Sequence, residues 1–144
     1  MRGRTMIAAV AAAALATGAW TTERQSAEEA AVRAALQHYV QGHETGDGSH
    51  MRIAFHPDAK VMSVRDGKLA SMTSEEYAGR FTGKPAADEA QRRRTIERVE
   101  VSGTAATGKI VLDYPATRFV DYMTLLKVDG QWKIVSKAFH AERK

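Results

Sequence analysis

The second half of the chain is a run of β-type segments joined by turns that are too short to contain a helix. Alternating apolar residues predict strands over 93–102, 105–114, 117–128 and 131–140. Gly103-Thr104 and Asp129-Gly130 each join two of these strands, and Asp-Gly is typical of a two-residue hairpin turn. Consecutive strands with tight turns form an antiparallel meander. The chain must therefore fold around an antiparallel sheet, one face of which needs a cover.

The first half carries amphipathic helices that can provide this cover. Ser26, with Glu29 three residues later, predicts a capping box that starts a helix after a frayed polar segment at 20–26. This helix then presents one apolar stripe, which consists of Val32, Leu36, Tyr39 and Val40. A short second helix is predicted from Ser49 through Phe55, and Pro57 follows its end.

A hairpin and a third helix lie between these helices and the long strands. Strands over 60–64 and 68–72 flank Asp66-Gly67, and Thr73 with Glu76 predicts a second capping box. The resulting order predicts an α+β domain in which N-terminal helices cover a curved antiparallel sheet. A pocket forms where that cover is incomplete.

Residues 1–19 have the three parts of a secretory signal peptide. Arg2 and Arg4 precede an apolar run from Met6 to Ala16, which is shorter than the roughly 20 residues that span a bilayer. Small residues follow and offer a cleavage site, although an uncleaved anchor is the alternative. We expect cleavage, contact with the membrane only through this transient segment, and a bacterial periplasmic or secreted location.

The composition points to no nucleic-acid partner, thiol chemistry or cofactor. Loss of Arg2 and Arg4 reduces the 21 basic residues to 19, against 17 acidic ones, so the formal charge becomes +2. The one dense basic cluster, residues 92–94, has no interleaved aromatics and is interpreted as a solvated strand entrance. The chain has no cysteine. No histidine or carboxylate spacing indicates a metal site, and we expect neither a metal nor a cofactor.

Five strings of residues are informative beyond their periodicity: AFHPDA at 54–59, VRDGKL at 64–69, LDYP at 112–115, FVDY at 119–122 and LLKVDGQWKIV at 125–135. They resemble the nuclear transport factor 2-like (NTF2-like) superfamily, also called SnoaL-like or cystatin-like, and within it the lumazine-binding subgroup. The resemblance covers about residues 27–140. It implies a cone-shaped α+β domain that is open at one end, and a homodimer formed through the outer face of the sheet. Because members include isomerases, dehydratases, hydrolases, cyclases and binding domains, it implies the fold and leaves the activity open.

Three residues are candidates for acid–base catalysis. His56 lies between a helix end and a strand start, where a neutral imidazole could act as a base, although turn chemistry alone explains His-Pro-Asp. Asp113 and Asp121 lie in apolar strands, and Asp121 shares its strand face with Phe119 and Met123. A carboxylate on an apolar cavity wall suits proton abstraction. The alternative is a salt bridge or a solvent-facing strand end.

Four residues are candidates for binding a small-molecule ligand: Tyr39, Tyr122, Trp132 and His140. Each also has a structural interpretation, as a core aromatic residue or a solvent-facing strand end. Three functions therefore stay open. They are a binding domain for a small hydrophobic or aromatic molecule, a cofactor-free acid–base enzyme, and an interaction module whose own side chains fill the pocket.

Overall fold

The structure is a computed structural model that describes residues 10–144, with side chains from Trp20 onward. In it, three helices and a hairpin accompany four long strands, and the first helices precede the sheet. The helices are α1 (Val10–Thr45), α2 (Gly48–Ala54) and α3 (Ser74–Ala78). The strands are β1 (Phe55–Arg65), β2 (Lys68–Thr73), β3 (Arg93–Ser102), β4 (Ala105–Asp113), β5 (Thr117–Val128) and β6 (Gln131–Arg143). A single 3₁₀ turn at Glu89–Gln91 precedes β3. The predicted α+β class and element order are confirmed.

All six strands form one sheet in the order β2-β1-β6-β5-β4-β3. The strands β3 to β6 form the predicted antiparallel meander. One pairing departs from this antiparallel pattern, because β1 runs parallel to β6. The chain passes through β2, α3 and the other three strands between β1 and β6, which is a connection long enough for a parallel pair.

The tight turns and one predicted helix cap occur where the sequence indicated. Asp66 and Gly67 have φ values of 50° and 73°, and the Asp129-Gly130 hairpin repeats this pattern. At the start of α3 the hydroxyl of Thr73 accepts the Glu76 backbone N–H, and the Glu76 carboxylate accepts the Thr73 N–H. The predicted hairpins and this capping box are therefore confirmed.

Helix α1 is longer than the sequence predicted. Ser26 lies inside it, and its hydroxyl donates to the Glu23 carbonyl at 2.9 Å instead of capping a helix end. Glu29 accepts from Arg33 one turn later. The predictions of a frayed segment at 20–26 and of a cap at Ser26 are wrong. No glycine or proline interrupts 20–26, so the helix continues through these residues.

The export and dimer predictions stay predictions. The signal-peptide assignment concerns residues 1–19, of which 1–9 lie outside the described residues and 10–19 are described only as backbone. No helix within residues 10–144 combines the length and apolarity required to span a membrane. On the outer face of the sheet, where the resemblance implies a homodimer, Tyr122 is 57% exposed and Leu126 is 40% exposed.

The core lies between α1 and the inner face of the sheet. The predicted stripe of α1 is buried there, and a Cβ added at Gly108 of β4 would come within 2.6 Å of Leu36 Cδ1. Helix α1 therefore rests directly on the sheet at this glycine. The largest fully buried side chains include Leu36, Tyr39, Met51, Ile110, Leu112, Met123, Leu125 and Ile134.

A β-bulge in β6 decides which of its side chains face the helices. Leu125 pairs with Ile134 and Thr124 pairs with Ser136, so Val135 has no partner on β5. Before the bulge Trp132 and Ile134 are buried, and after it the buried residue is Lys137. An extra residue in one strand shifts the alternation of faces by one. The bulge therefore turns Lys137 inward.

Candidate ligand site

A cavity of about 620 Å³ opens where the helices leave the inner face of the sheet uncovered. Its apolar wall consists mainly of Val64, Tyr77, Leu112, Tyr114, Phe119 and Phe139. Its charged lining consists of Arg65, Arg80, Asp88, Arg92 and Lys137, and is therefore mostly basic. This volume lies within the range of small-molecule sites, which begins at about 300 Å³. The cavity has room for a ligand beside its own side chains.

Lys137 places a buried ammonium group on the wall of this cavity. The residue is 3% exposed, and its Nζ donates to the hydroxyls of Tyr39 at 2.7 Å and Tyr77 at 3.3 Å. Asp121 Oδ1 lies 3.3 Å from the same nitrogen. The rings of Tyr39, Tyr77 and Phe139 have their centroids within 5.0 Å of Nζ, which stabilises a cation further.

Asp121 is the buried partner of this lysine. Its side chain is fully buried, and its Oδ2 accepts a hydrogen bond from the Tyr39 hydroxyl at 2.6 Å. The Oδ1 atom of Asp121 accepts no hydrogen bond from the described residues. Among these residues, Lys137 is the one ion-pair partner of the Asp121 carboxylate. Burial and the adjacent Asp121 carboxylate raise the pKa of Tyr39 well above its usual value. Tyr39 therefore stays a protonated donor.

His43 of α1 contacts the hydroxyl groups of two tyrosines in the cavity lining. Its Nε2 lies 2.9 Å from the Tyr77 hydroxyl, and its Nδ1 lies 3.3 Å from the Tyr114 hydroxyl. Burial lowers the pKa of His43 well below its usual value, and the nearby cations Lys137, Arg94 and Arg92 lower it further. The ring is therefore a neutral imidazole at neutral pH. It can donate one hydrogen bond and accept another, or accept a proton.

The neutral state of His43 predicts a loss of stability on mild acidification. In the unfolded chain His43 has its ordinary pKa of about 6.5 and gains a proton below that pH. In the folded protein the pKa of His43 is lower, so the ring stays neutral over the same pH range. The free energy of unfolding then falls by up to about 1.4 kcal/mol per pH unit. Replacing His43 with Gln should remove most of this dependence between about pH 6.5 and 5, as measured by urea unfolding. An unchanged pH slope in the variant would contradict a neutral imidazole.

Two of the three arginines in the basic cluster at 92–94 are held by partners, and only Arg93 is exposed as a solvated strand entrance would be. The Arg94 side chain is 3% exposed, donates to the Tyr114 hydroxyl at 3.1 Å, and forms an ion pair with Glu89. The Arg92 guanidinium lies 4.2 Å from the centre of the Tyr114 ring and pairs with Asp88. The earlier interpretation is wrong for these two arginines, because the 3₁₀ turn and Tyr114 supply their partners. Both arginines support the cavity wall.

The three predicted acid–base residues are not brought together. Asp121 lies beside the cavity behind Lys137, as described above. His56 lies outside the cavity lining, and its Nδ1 accepts the Asp58 N–H at 3.2 Å, which is the turn-capping alternative. Asp113 also lies outside the lining and pairs with Lys144 at 2.5 Å. The structure therefore does not bring His56 together with Asp113 or Asp121 in one pocket.

Two of the four predicted ligand-binding residues lie at the cavity. His140 is part of the lining, and Tyr39 contacts the lining residues Lys137 and Tyr77. Trp132 is buried in the core, with its Nε1 donating to Glu28 at 2.9 Å. Tyr122 is exposed, on the face of β5 opposite Asp121. Across residues 10–144 no three histidine or carboxylate side chains gather as a metal site would require.

The comparisons with known proteins agree with this fold. The family described as "Putative lumazine-binding" matches residues 27–140. An NTF2-like protein of unknown function from Shewanella baltica OS155 is 30% identical, with a TM-score of 0.75 over 83% of this chain and 97% of its own. A second, from Silicibacter pomeroyi DSS-3, is 26% identical, with a TM-score of 0.70 over 81% of this chain and 98% of its own.

A protein named as an aldolase is a further relative, at lower sequence identity. The aldolase FrzH of a Cladobotryum species is 25% identical over 116 residues, which are 81% of this chain and 93% of FrzH. The family match covers most of the chain, and the resemblance predicted from the five sequence strings is confirmed. The chain belongs to the NTF2-like family described as "Putative lumazine-binding".

Proposed function

We propose that this domain binds a small molecule with a flat apolar or aromatic body in the cavity, oriented by a hydrogen bond from Lys137 to a ligand oxygen. The observation that carries the proposal is the Lys137 ammonium, which is nearly excluded from water and set in a wall of aromatic side chains. Ligand sites commonly combine apolar walls with a few polar groups that fix orientation. A carbonyl or anionic oxygen is the ligand group that complements this cation.

The lining narrows the class of ligand further. Four of the five charged side chains in the lining are cationic and only Asp88 is anionic, so the lining carries a net positive charge. This favours ligands that are neutral or anionic over cationic ones. Lumazine, which the family description names, is a flat heterocycle with carbonyl oxygens and meets these requirements.

Binding is tested by calorimetry and thermal unfolding with lumazine and a panel of naphthalene carbonyl compounds. We expect at least one compound to bind, and a compound at 100 times its dissociation constant to stabilise the fold by about 2.7 kcal/mol. Replacing Lys137 with Met together with Asp121→Asn removes the cation without leaving a buried charge, and should weaken binding about tenfold or more. The matched control is Lys133→Met, outside the cavity lining on the same strand.

Two results would contradict the proposal. One is that no compound binds at about 1 mM. The other is that the double variant binds as tightly as the Lys133→Met control.

A second candidate is cofactor-free acid–base catalysis on a carbonyl substrate. It is favoured by the convergence of neutral His43, Tyr77 and Lys137 on one cavity, and by the relationship to a protein named as an aldolase. His43 would accept a proton from the carbon beside the carbonyl, and Lys137 and Tyr77 would stabilise the developing oxyanion. Here His43 takes the role that the sequence assigned to His56.

This candidate predicts proton exchange without any second substrate. Phenylacetone in D₂O should exchange the hydrogens beside its carbonyl faster with the protein than without it, as followed by proton NMR. His43→Gln should lower the accelerated rate by about a hundredfold or more, whereas Lys133→Met should leave it unchanged. A rate equal to that of buffer alone would exclude this chemistry for that ketone class and leave the binding proposal intact.

A further inference from the structure

We infer that Lys137 is a nucleophile, whose amine forms a covalent imine with an aldehyde or ketone that enters the cavity. This rests on the proposed function, in that a carbonyl compound must first bind. It goes further because it assigns the site a covalent bond to its ligand and restricts the ligand to aldehydes and ketones.

The first support is the position of the amine. Lys137 is the only lysine among the described residues that is buried, and it lines the cavity. Lysines act as nucleophiles toward carbonyl groups where an apolar pocket removes them from water. By contrast, Lys133 on the same strand extends outward to donate to the Ile53 carbonyl at 2.7 Å. The two lysines therefore differ in burial beside the cavity, which is the first property that the reaction requires.

The second support is the set of proton carriers around Nζ. The Tyr39 hydroxyl lies 2.7 Å from Nζ and 2.6 Å from Asp121 Oδ2, so it bridges the amine and the carboxylate. The Tyr77 hydroxyl lies 3.3 Å from Nζ, and Tyr77 also lines the cavity. Imine formation needs a proton acceptor for the ammonium and a proton donor for the departing oxygen, and these groups supply both.

The reaction balances with water as its only by-product. The Lys137 ammonium transfers one proton to the Asp121 carboxylate, and the free amine attacks the carbonyl carbon to form a C–N bond. The carbonyl π electrons move to oxygen, which receives a proton from the attacking nitrogen through a tyrosine hydroxyl. Asp121 then returns its proton as the C–O bond breaks and water leaves. The product is a protonated imine beside an Asp121 carboxylate, with no change of oxidation state.

The imine would also explain the place of His43. A protonated imine withdraws electrons and makes the hydrogens on the neighbouring carbon more acidic than those of the parent ketone. His43 reaches the same hydroxyl of Tyr77 from α1, at 2.9 Å. A neutral imidazole at that position can remove such a hydrogen. In this route the iminium nitrogen takes the place of the carbonyl oxygen, so the electrons released when His43 removes the proton move to the iminium and no oxyanion forms.

The experiment is reductive trapping on the full chain. The protein is incubated with benzaldehyde and sodium cyanoborohydride at neutral pH, where the hydride reduces the iminium to a stable benzylamine, and the label is mapped by peptide mass spectrometry. We expect Lys137 to be labelled at least about tenfold more than Lys133. The label at that position should disappear in the folded Lys137→Met/Asp121→Asn variant and persist in Lys133→Met.

Each outcome decides the inference. If benzaldehyde binds by calorimetry but the label is spread over exposed lysines as in the urea-unfolded chain, the imine is excluded and the binding proposal survives. If neither binding nor labelling of Lys137 occurs with benzaldehyde or with phenylacetone, both the imine and the proposed carbonyl ligand class are wrong. Selective labelling of Lys137 that is suppressed by unfolding supports both.

Discussion

Replacing Lys137 with Met is expected to lower the free energy of unfolding by about 3–5 kcal/mol, because it leaves a buried charge without a partner. Asp121 is fully buried, and its Oδ1 relies on Lys137 Nζ at 3.3 Å. The Tyr39 hydroxyl satisfies the other carboxylate oxygen and cannot neutralise the charge. The loss is measured by urea unfolding monitored by circular dichroism.

A second substitution, at Asp121, tests whether the unpaired charge causes this loss of stability. Adding Asp121→Asn to the Lys137→Met variant removes the charge, and should restore about 2 kcal/mol or more of the loss. Lys133→Met is the matched control, because this lysine is on the same strand and its hydrogen bond to Ile53 is exposed. Its expected cost is at most about 1 kcal/mol. Equal costs for Lys133→Met and Lys137→Met would show that no buried ion pair exists.

Replacing Gly46 with Ala is expected to lower the free energy of unfolding by about 3 kcal/mol or more. Gly46 follows α1 with a φ of +71°, and a Cβ there would lie 1.9 Å from the Lys84 carbonyl oxygen. The Gly46 carbonyl also accepts the Gly83 N–H at 2.8 Å. Because the obstacle is backbone, the methyl group can be accommodated only by separating the two loops.

Gly67 provides the control for this substitution. Its φ of +73° is nearly the same, but a Cβ there would meet no atom within 4 Å. Gly67→Ala should therefore show the conformational cost alone, about 1–2 kcal/mol. The difference between the free energies of unfolding lost by the two variants measures the cost of forcing a methyl group between the two loops. If both variants lose the same free energy, then the loops do not pack as described.

The sheet could be predicted from the sequence because its signals are local. The bounds of β3 and β5 agree with the alternating segments at 93–102 and 117–128, and the two Asp-Gly turns give the register of their hairpins. The N-terminal end of α1 could not be predicted in this way. Ser26 has the residue types of a capping box, but its local pattern does not show whether the preceding residues are helical too.

The site was only partly predictable, since it depends on irregular and long-range features. Asp121 was identified because simple alternation places it on an apolar face of β5. Lys137 was missed because alternation from Trp132 and Ile134 places it outward, and only the bulge at Val135 reverses this. His43 was missed because its significance comes from Tyr77 and Tyr114, which are distant in sequence. The sequence signal at Lys137 is its place between Val135 and Phe139, and Lys133 between Trp132 and Ile134 shares that signal.

The most direct test of the binding site is a crystal structure of the protein with the tightest-binding compound of the carbonyl panel. We predict that the compound lies inside the cavity against Phe119 and Phe139. Either its carbonyl oxygen lies about 2.7–3.2 Å from Lys137 Nζ, or its carbonyl carbon is bonded to Nζ as an imine. A compound bound outside this cavity, with Lys137 Nζ still hydrogen-bonded or ion-paired only to Tyr39, Tyr77 and Asp121, would contradict the account.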